Sequence, residues 1–119
     1  MRIDVFIEGI PYSQQKVRGD REAADRWTQS IIQATKNLPK VKGPVSMNLK
    51  FVLPADKYPL DHPYGSDLDN LVKRLLDALN MTIFANVPGK DGAVVRLTVS
   101  KRKVFKNEPT GVRMILNEL

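Results

Sequence analysis

Cysteine is absent from the 119 residues, and histidine occurs once, at His62. The first absence excludes disulfides, thiolate metal sites and a cysteine nucleophile. The second rules out an imidazole cluster, so any metal must be held by oxygen, which favours hard cations such as Mg²⁺. Aromatics make up only 7% of the chain, and the single Trp27 falls on a helical apolar stripe, which reads as a core anchor rather than a stacking platform for bases. No apolar run approaches the roughly 20 residues of a membrane span. The first residues, MRIDVFIEGIPYSQQK, lack the basic start and apolar block of a signal peptide. A soluble, cytoplasmic protein with no membrane partner is expected.

Hydrophobic residues at 42% and charged residues at 27% are ordinary globular values, and the length suits one domain spanning residues 1–119. The net charge of +6 draws polyanions. Its distribution says more than its size. Asp56, Asp61, Asp67, Asp69 and Asp77 interrupt a chain that is basic before them, at Lys36, Lys40, Lys42 and Lys50, and after them, at Arg96, Lys101, Arg102, Lys103 and Lys106. An acidic spot in a basic field is what a metal-dependent enzyme acting on phosphodiesters needs.

Along the chain, Ile3, Val5 and Ile7 alternate with Arg2, Asp4, Phe6 and Glu8, as a strand with at least one buried face does. Gly9, Pro11 and Ser13 break it and place Lys16 and Arg18 in a loop, from which they can meet a phosphate. Asp20 can cap a helix reaching about Asn37, with Ala24, Trp27, Ile31, Ala34 and Leu38 at helical spacing. Val45, Met47, Leu49, Phe51 and Leu53 form a period-two strand, and PADKYPLDHPYGS follows as a long loop. Two further alternating runs, Val95 to Lys103 and Val112 to Leu116, should pair as an antiparallel hairpin. The order β-α-β-α-β-β predicts an α+β fold: a mixed or antiparallel sheet of about four strands with two helices on one face.

The richest stretch is Ser66 to Asn80, SDLDNLVKRLLDALN. As a helix it places Leu68, Leu71, Val72, Leu75, Leu76 and Leu79 within an arc of about 140°, a face that should be buried, and Asp69, Lys73, Asp77 and Asn80 within about 80° opposite. Ser66 with Asp69 resembles a capping box. Asp67 and Asp69 at the helix start repel each other unless a cation intervenes, and Asp91 can join them if its strand lies beside the helix. Lys73 can hold a phosphate or offset developing charge. The alternative is purely structural: Asp67 caps, and Asp69, Lys73 and Asp77 form an i, i+4 ion-pair ladder.

Beyond spacing, SDLDNLVKRLLDALN followed by KDGAVVRLTVSKRK resembles the RusA family of Holliday junction resolvases, whose motif D-x-D-N-x-x-K-x-x-x-D-x-L is met by Asp67, Asp69, Asn70, Lys73, Asp77 and Leu79. The GIP loop with Lys16 and Arg18, and the strand through Val94, Val95 and Lys101, look like the family's flanking regions. The resemblance implies a Mg²⁺-dependent endonuclease, with Mn²⁺ as a substitute, that resolves four-way DNA junctions by paired nicks in recombination or repair, in a bacterium or prophage. It assigns metal-binding catalytic roles to Asp67, Asp69 and Asp91 and a catalytic role to Lys73. DNA contacts fall to Lys16, Arg18, Lys90, Lys101 and Lys103. Two symmetric nicks imply a C2 homodimer, with the exposed apolar faces of the first or last strand as candidate interfaces. The family usually has two adjacent aspartates in its later motif, where this chain has Lys90-Asp91. A second reading is therefore a junction-binding protein of the same fold that has lost cleavage.

Overall fold

Alternating residues bury one side of each strand, and in the computed structural model, which describes residues 1–13, 21–57 and 64–119, four such strands share one sheet. They are β1 (Arg2–Glu8), β2 (Val45–Leu53), β3 (Val94–Lys103) and β4 (Gly111–Glu118), lying in the order β1-β4-β2-β3. β4 runs antiparallel to both β1 and β2, while β2 and β3 are parallel. With helices α1 (Arg21–Thr35) and α2 (Leu68–Leu79), this is the α+β fold with a mixed sheet, in the predicted order β-α-β-α-β-β.

The expected hairpin between the last two strands does not form. β2 lies between them, with Leu49 opposite Met114 on one side and Val99 on the other. Alternation sets the face a side chain points to, not which strand is its neighbour. Composition decides the neighbour. β4 brings Val112, Met114 and Leu116, all fully buried, to the centre. β3 ends in Lys101, Arg102 and Lys103 and takes an edge, where charge discourages pairing with other chains.

The covered face of the sheet contributes Ile3, Ile7, Met47, Leu49, Phe51 and Leu53 to the core, against Trp27 and Ile31 of α1 and Leu71, Leu75 and Leu79 of α2. Trp27 is a core residue, as its place on the stripe predicts. The stripe of α1 ends on Thr35 rather than Ala34, which is exposed. Thr35 Oγ1 bonds to the carbonyl of Ile31 at 2.7 Å and meets Thr82 Oγ1 at 2.8 Å, so the buried hydroxyls satisfy each other. Lys40 Nζ donates to Thr82 O at 2.9 Å, and Val41 N–H to Ile83 O at 2.8 Å. The segment after α2 is thereby tied to the segment after α1. Asp20, the expected cap of α1, lies outside the described residues.

The link from β3 to β4 is held by charge. Arg102 forms a two-bond ion pair with Glu108 and stacks 4.3 Å from the centroid of the Phe105 ring, while Glu108 Oε1 accepts the Phe105 N–H at 2.9 Å. The Arg102 guanidinium, with the Phe105 N–H second, holds the Glu108 carboxyl down to about 2 from an ordinary 4.5. A depressed folded-state pKa contributes stability that is fully present above the unfolded value and is lost as pH falls through the folded one. The chain should therefore lose stability between pH 4.5 and about 2. Urea unfolding across that window should show a smaller loss for Glu108→Gln than for wild type.

Candidate active site

Parallel strands cannot be joined by a tight turn, so the chain leaving β2 must cross back over the sheet before β3 begins. α2 is that crossover. It runs antiparallel to β3, which sets its first turn near the end of β3 and its last turn near the start. Two contacts mark these ends. Lys101 Nζ on β3 donates to the carbonyl of Ser66 at 2.6 Å, just before α2. Beyond its last turn, Asn80 Nδ2 donates to Asp91 Oδ2 at 3.1 Å, and Asn80 Oδ1 accepts the Asp91 N–H at 3.0 Å.

Between these contacts lies an open cleft of about 520 Å³. Its α2 wall carries Leu68, Asp69, Val72, Lys73, Leu76 and Asp77, and the far side carries Asp91, Leu97 and Val99. The six aliphatics expected on one buried face are thus divided. Leu71, Leu75 and Leu79 enter the core, whereas Leu68, Val72 and Leu76 are half-buried and line the cleft. β3 packs too thinly to cover them, its Val95 being 62% and its Leu97 41% exposed.

Asp67 is the N-cap of α2, with φ −65° and ψ 131°, yet its side chain makes no capping hydrogen bond. Among the described residues Asp69 Oδ1 accepts only the adjacent Asn70 N–H at 3.0 Å, so the capping box with Ser66 does not form. The ion-pair ladder is missing as well: among the described residues no ion pair joins Asp69, Lys73 and Asp77. Two exposed carboxylates therefore stand at the positive end of the helix dipole, with no ion-pair partner among the described residues.

Asp91 lies at the other end. From Asp69 to Asn80 the helix climbs about 16 Å at ~1.5 Å per residue, and Asp91 is hydrogen-bonded to Asn80. That separation exceeds what two carboxylates can bridge through one ion with ligands at about 2.1 Å. Among the described residues no group of three acidic or histidine side chains can hold a metal. The donors are hard oxygens suited to Mg²⁺, but one copy of the chain does not assemble Asp67, Asp69 and Asp91 around one ion. Their expected convergence does not occur within the chain. Asp77, a motif residue with no assigned role, shares the Asp91 end of the cleft.

The basic residues divide in the same way. Lys90 is exposed at the start of the 3₁₀ turn Lys90–Ala93, with φ 51°, beside Asp91. Lys103 is exposed at the end of β3, whereas Lys101 is a tether, its ammonium held by Ser66. Lys16 and Arg18 lie outside the described residues. Among the described residues, Tyr12 meets α2, the Arg74 guanidinium lying 5.4 Å from the centroid of its ring. The sequence flagged Asn80 as polar without a role. Its partner lies across a turn-rich connector, a distance that helical spacing does not reveal.

An acid-lined cleft in a chain of net charge +6 fits the nucleases, and the profile of Endodeoxyribonuclease RusA matches residues 11–116. That span contains both helices, the whole cleft and most of the sheet. The chain belongs to the RusA endodeoxyribonuclease family, nucleases of the Holliday junction resolvase class. No curated protein matches it. Among the described residues, no helix is long and apolar enough to cross a membrane.

The Lys101 tether has a testable consequence. Lys101→Met removes the bond to Ser66 and should speed hydrogen exchange at the first turn of α2, read at Leu71 N–H, which bonds to Asp67 O at 3.2 Å. The last turn of α2 should exchange as in wild type.

Proposed function

We propose that the chain, folding as one domain, is a Mg²⁺-dependent endonuclease that resolves four-way DNA junctions as a C2 homodimer, each site combining Asp67, Asp69 and Lys73 of one copy with Asp91 of the other. The observation that carries this reading is the division of the acidic residues between opposite ends of an apolar cleft left open to solvent. A two-fold axis across the middle of α2 brings the first end of one cleft against the last end of the other, as isologous contacts require. The same operation covers Leu68, Val72, Leu76 and Leu97. The interface then falls on α2 and β3. The faces of β1 and β4, the interface candidates offered by the sequence, contribute no residue to this cleft among the described residues.

A C2 pair also matches the substrate, since a four-way junction presents two near-equivalent strands to be nicked. Completed in this way, three carboxylates would hold a hard divalent cation, whose chemistry when bound is to offset charge on the phosphate and supply a nucleophilic water. Lys73 is exposed, forms no ion pair among the described residues and lies on the cleft, where it can hold the scissile phosphate. Lys90 and Lys103, with Lys16 and Arg18 on their loop, are placed in the role of phosphate contacts that set register on DNA. What favours cleavage in spite of Lys90 is that, among the described residues, no ion pair joins it to Asp91, whose carboxylate is left to hold a cation.

A labelled synthetic junction tests this. Wild type should nick two opposed strands only with Mg²⁺ or Mn²⁺, and Asp69→Asn and Asp91→Asn should each slow nicking on the order of 10²-fold or more, the scale of losing one group that stabilises the transition state. Mixing the two variants discriminates further. Sites built across the two-fold axis leave one intact site per mixed dimer, so single nicks should return. Sites built within one chain leave none. Binding without nicking at any metal concentration would identify the chain as a junction-binding protein instead.

A further inference from the structure

We propose that Asn80 is a positioning residue that holds Asp91 in its working orientation, an inference that rests on the role given to Asp91 above. Asn80 caps the C-terminus of α2 with φ −62° and ψ −18°, and its backbone N–H bonds to Leu76 O at 2.9 Å. Its side chain is therefore mounted on a rigid helix. Asp91 arrives by a very different route, through a connector that turns at Gly89, φ 78°, and Lys90, φ 51°. Nothing in that local geometry fixes a carboxylate. The Asn80 amide does, donating Nδ2 to Asp91 Oδ2 at 3.1 Å and accepting the Asp91 N–H on Oδ1 at 3.0 Å.

The two bonds fix the backbone and the side chain of Asp91 together. They also divide its oxygens. Oδ2 is committed to the amide, whereas Oδ1 accepts no hydrogen bond among the described residues, on a residue that lines the cleft. That arrangement is typical of a ligand oriented by an outer partner. The residue type suits the task. An amide offers a donor and an acceptor in one plane and carries no charge. A lysine there would neutralise Asp91, and an aspartate would keep the acceptor but replace the donor with a repelling charge.

The test uses the whole chain and two readouts. Mn²⁺ alone is titrated without DNA and followed by the electron spin resonance of the free ion, and junction nicking is measured against Mg²⁺ concentration. Asn80→Ala should weaken Mn²⁺ binding 10- to 100-fold, the usual effect of losing an outer partner, while nicking returns at raised Mg²⁺. Asn80→Asp should do no better than Asn80→Ala, although it matches asparagine in size and still accepts the Asp91 N–H. Thermal unfolding checks each variant, and if Asn80→Ala fails to fold, Asn80→Asp carries the test.

Wild-type Mn²⁺ affinity in Asn80→Ala, or its restoration by aspartate, would overturn the proposal. Asp91→Asn is the control. If it loses metal and nicking while Asn80→Ala keeps both, only the role of Asn80 falls. If it behaves as wild type, the role of Asp91 falls and that of Asn80 with it.

Discussion

The parallel pairing of β2 with β3 is the constraint on which the rest of the molecule depends. Hydrogen bonds from Ser46↔Arg96 to Leu53↔Lys103 hold the two strands in register, and their common direction forces the intervening chain to return along the sheet. α2 is therefore antiparallel to β3. The polar groups at its two ends receive fixed addresses: Asp67 and Asp69 near the end of β3, and Asn80, with Asp91 bonded to it, near its start.

The cleft is not a packing failure of a weak core. Leu71, Leu75 and Leu79 are fully buried, each contributing on the order of 1.5–3 kcal/mol by leaving water. Leu68, Val72 and Leu76 sit on the adjoining flank of the same helix and could have been covered by a bulkier or better-tucked β3. Instead that strand alternates between cleft residues, Leu97 and Val99, and polar ones, and leaves Val95 exposed. Apolar surface left open next to carboxylates forgoes stability in the single chain. In the dimer proposed above, a second copy laid across it would recover that stability, while the carboxylates would remain at the rim, where water and phosphate can reach them.

Much of this could be read from residues alone, and the failures share a cause. Periodicity gave both helices, all four strands and the core anchor Trp27, because burial of a face is a local property of spacing. The motif from Asp67 to Leu79 gave the family. Strand neighbours were misjudged at β3 and β4, since alternation says nothing of pairing, although the run of basic residues at Lys101 to Lys103 is itself the mark of an edge. The convergence of Asp67, Asp69 and Asp91 was likewise expected from type and motif. Types establish that three carboxylates suit one ion. Only the rise along α2, with the Asn80 to Asp91 bonds at its end, establishes that one chain cannot gather them.

Charge works on two length scales here, and they have opposite signs. The net +6 of the chain acts on DNA at a distance, but screening confines its reach to about 8 Å at physiological salt. Close to the proposed site the count is different: Asp67, Asp69, Asp77 and Asp91 would meet a phosphate of their own sign, and among the described residues Lys73 on the cleft and Lys90 beside Asp91 are exposed cations. General basicity thus accounts for approach but not for seating. Seating needs positive charge within a few ångströms of the carboxylates, and neither lysine supplies it by pairing with them, since among the described residues neither forms an ion pair. The gap is one that a bound cation would fill, and a cation held by acids from both copies would admit the phosphate only after the dimer had formed.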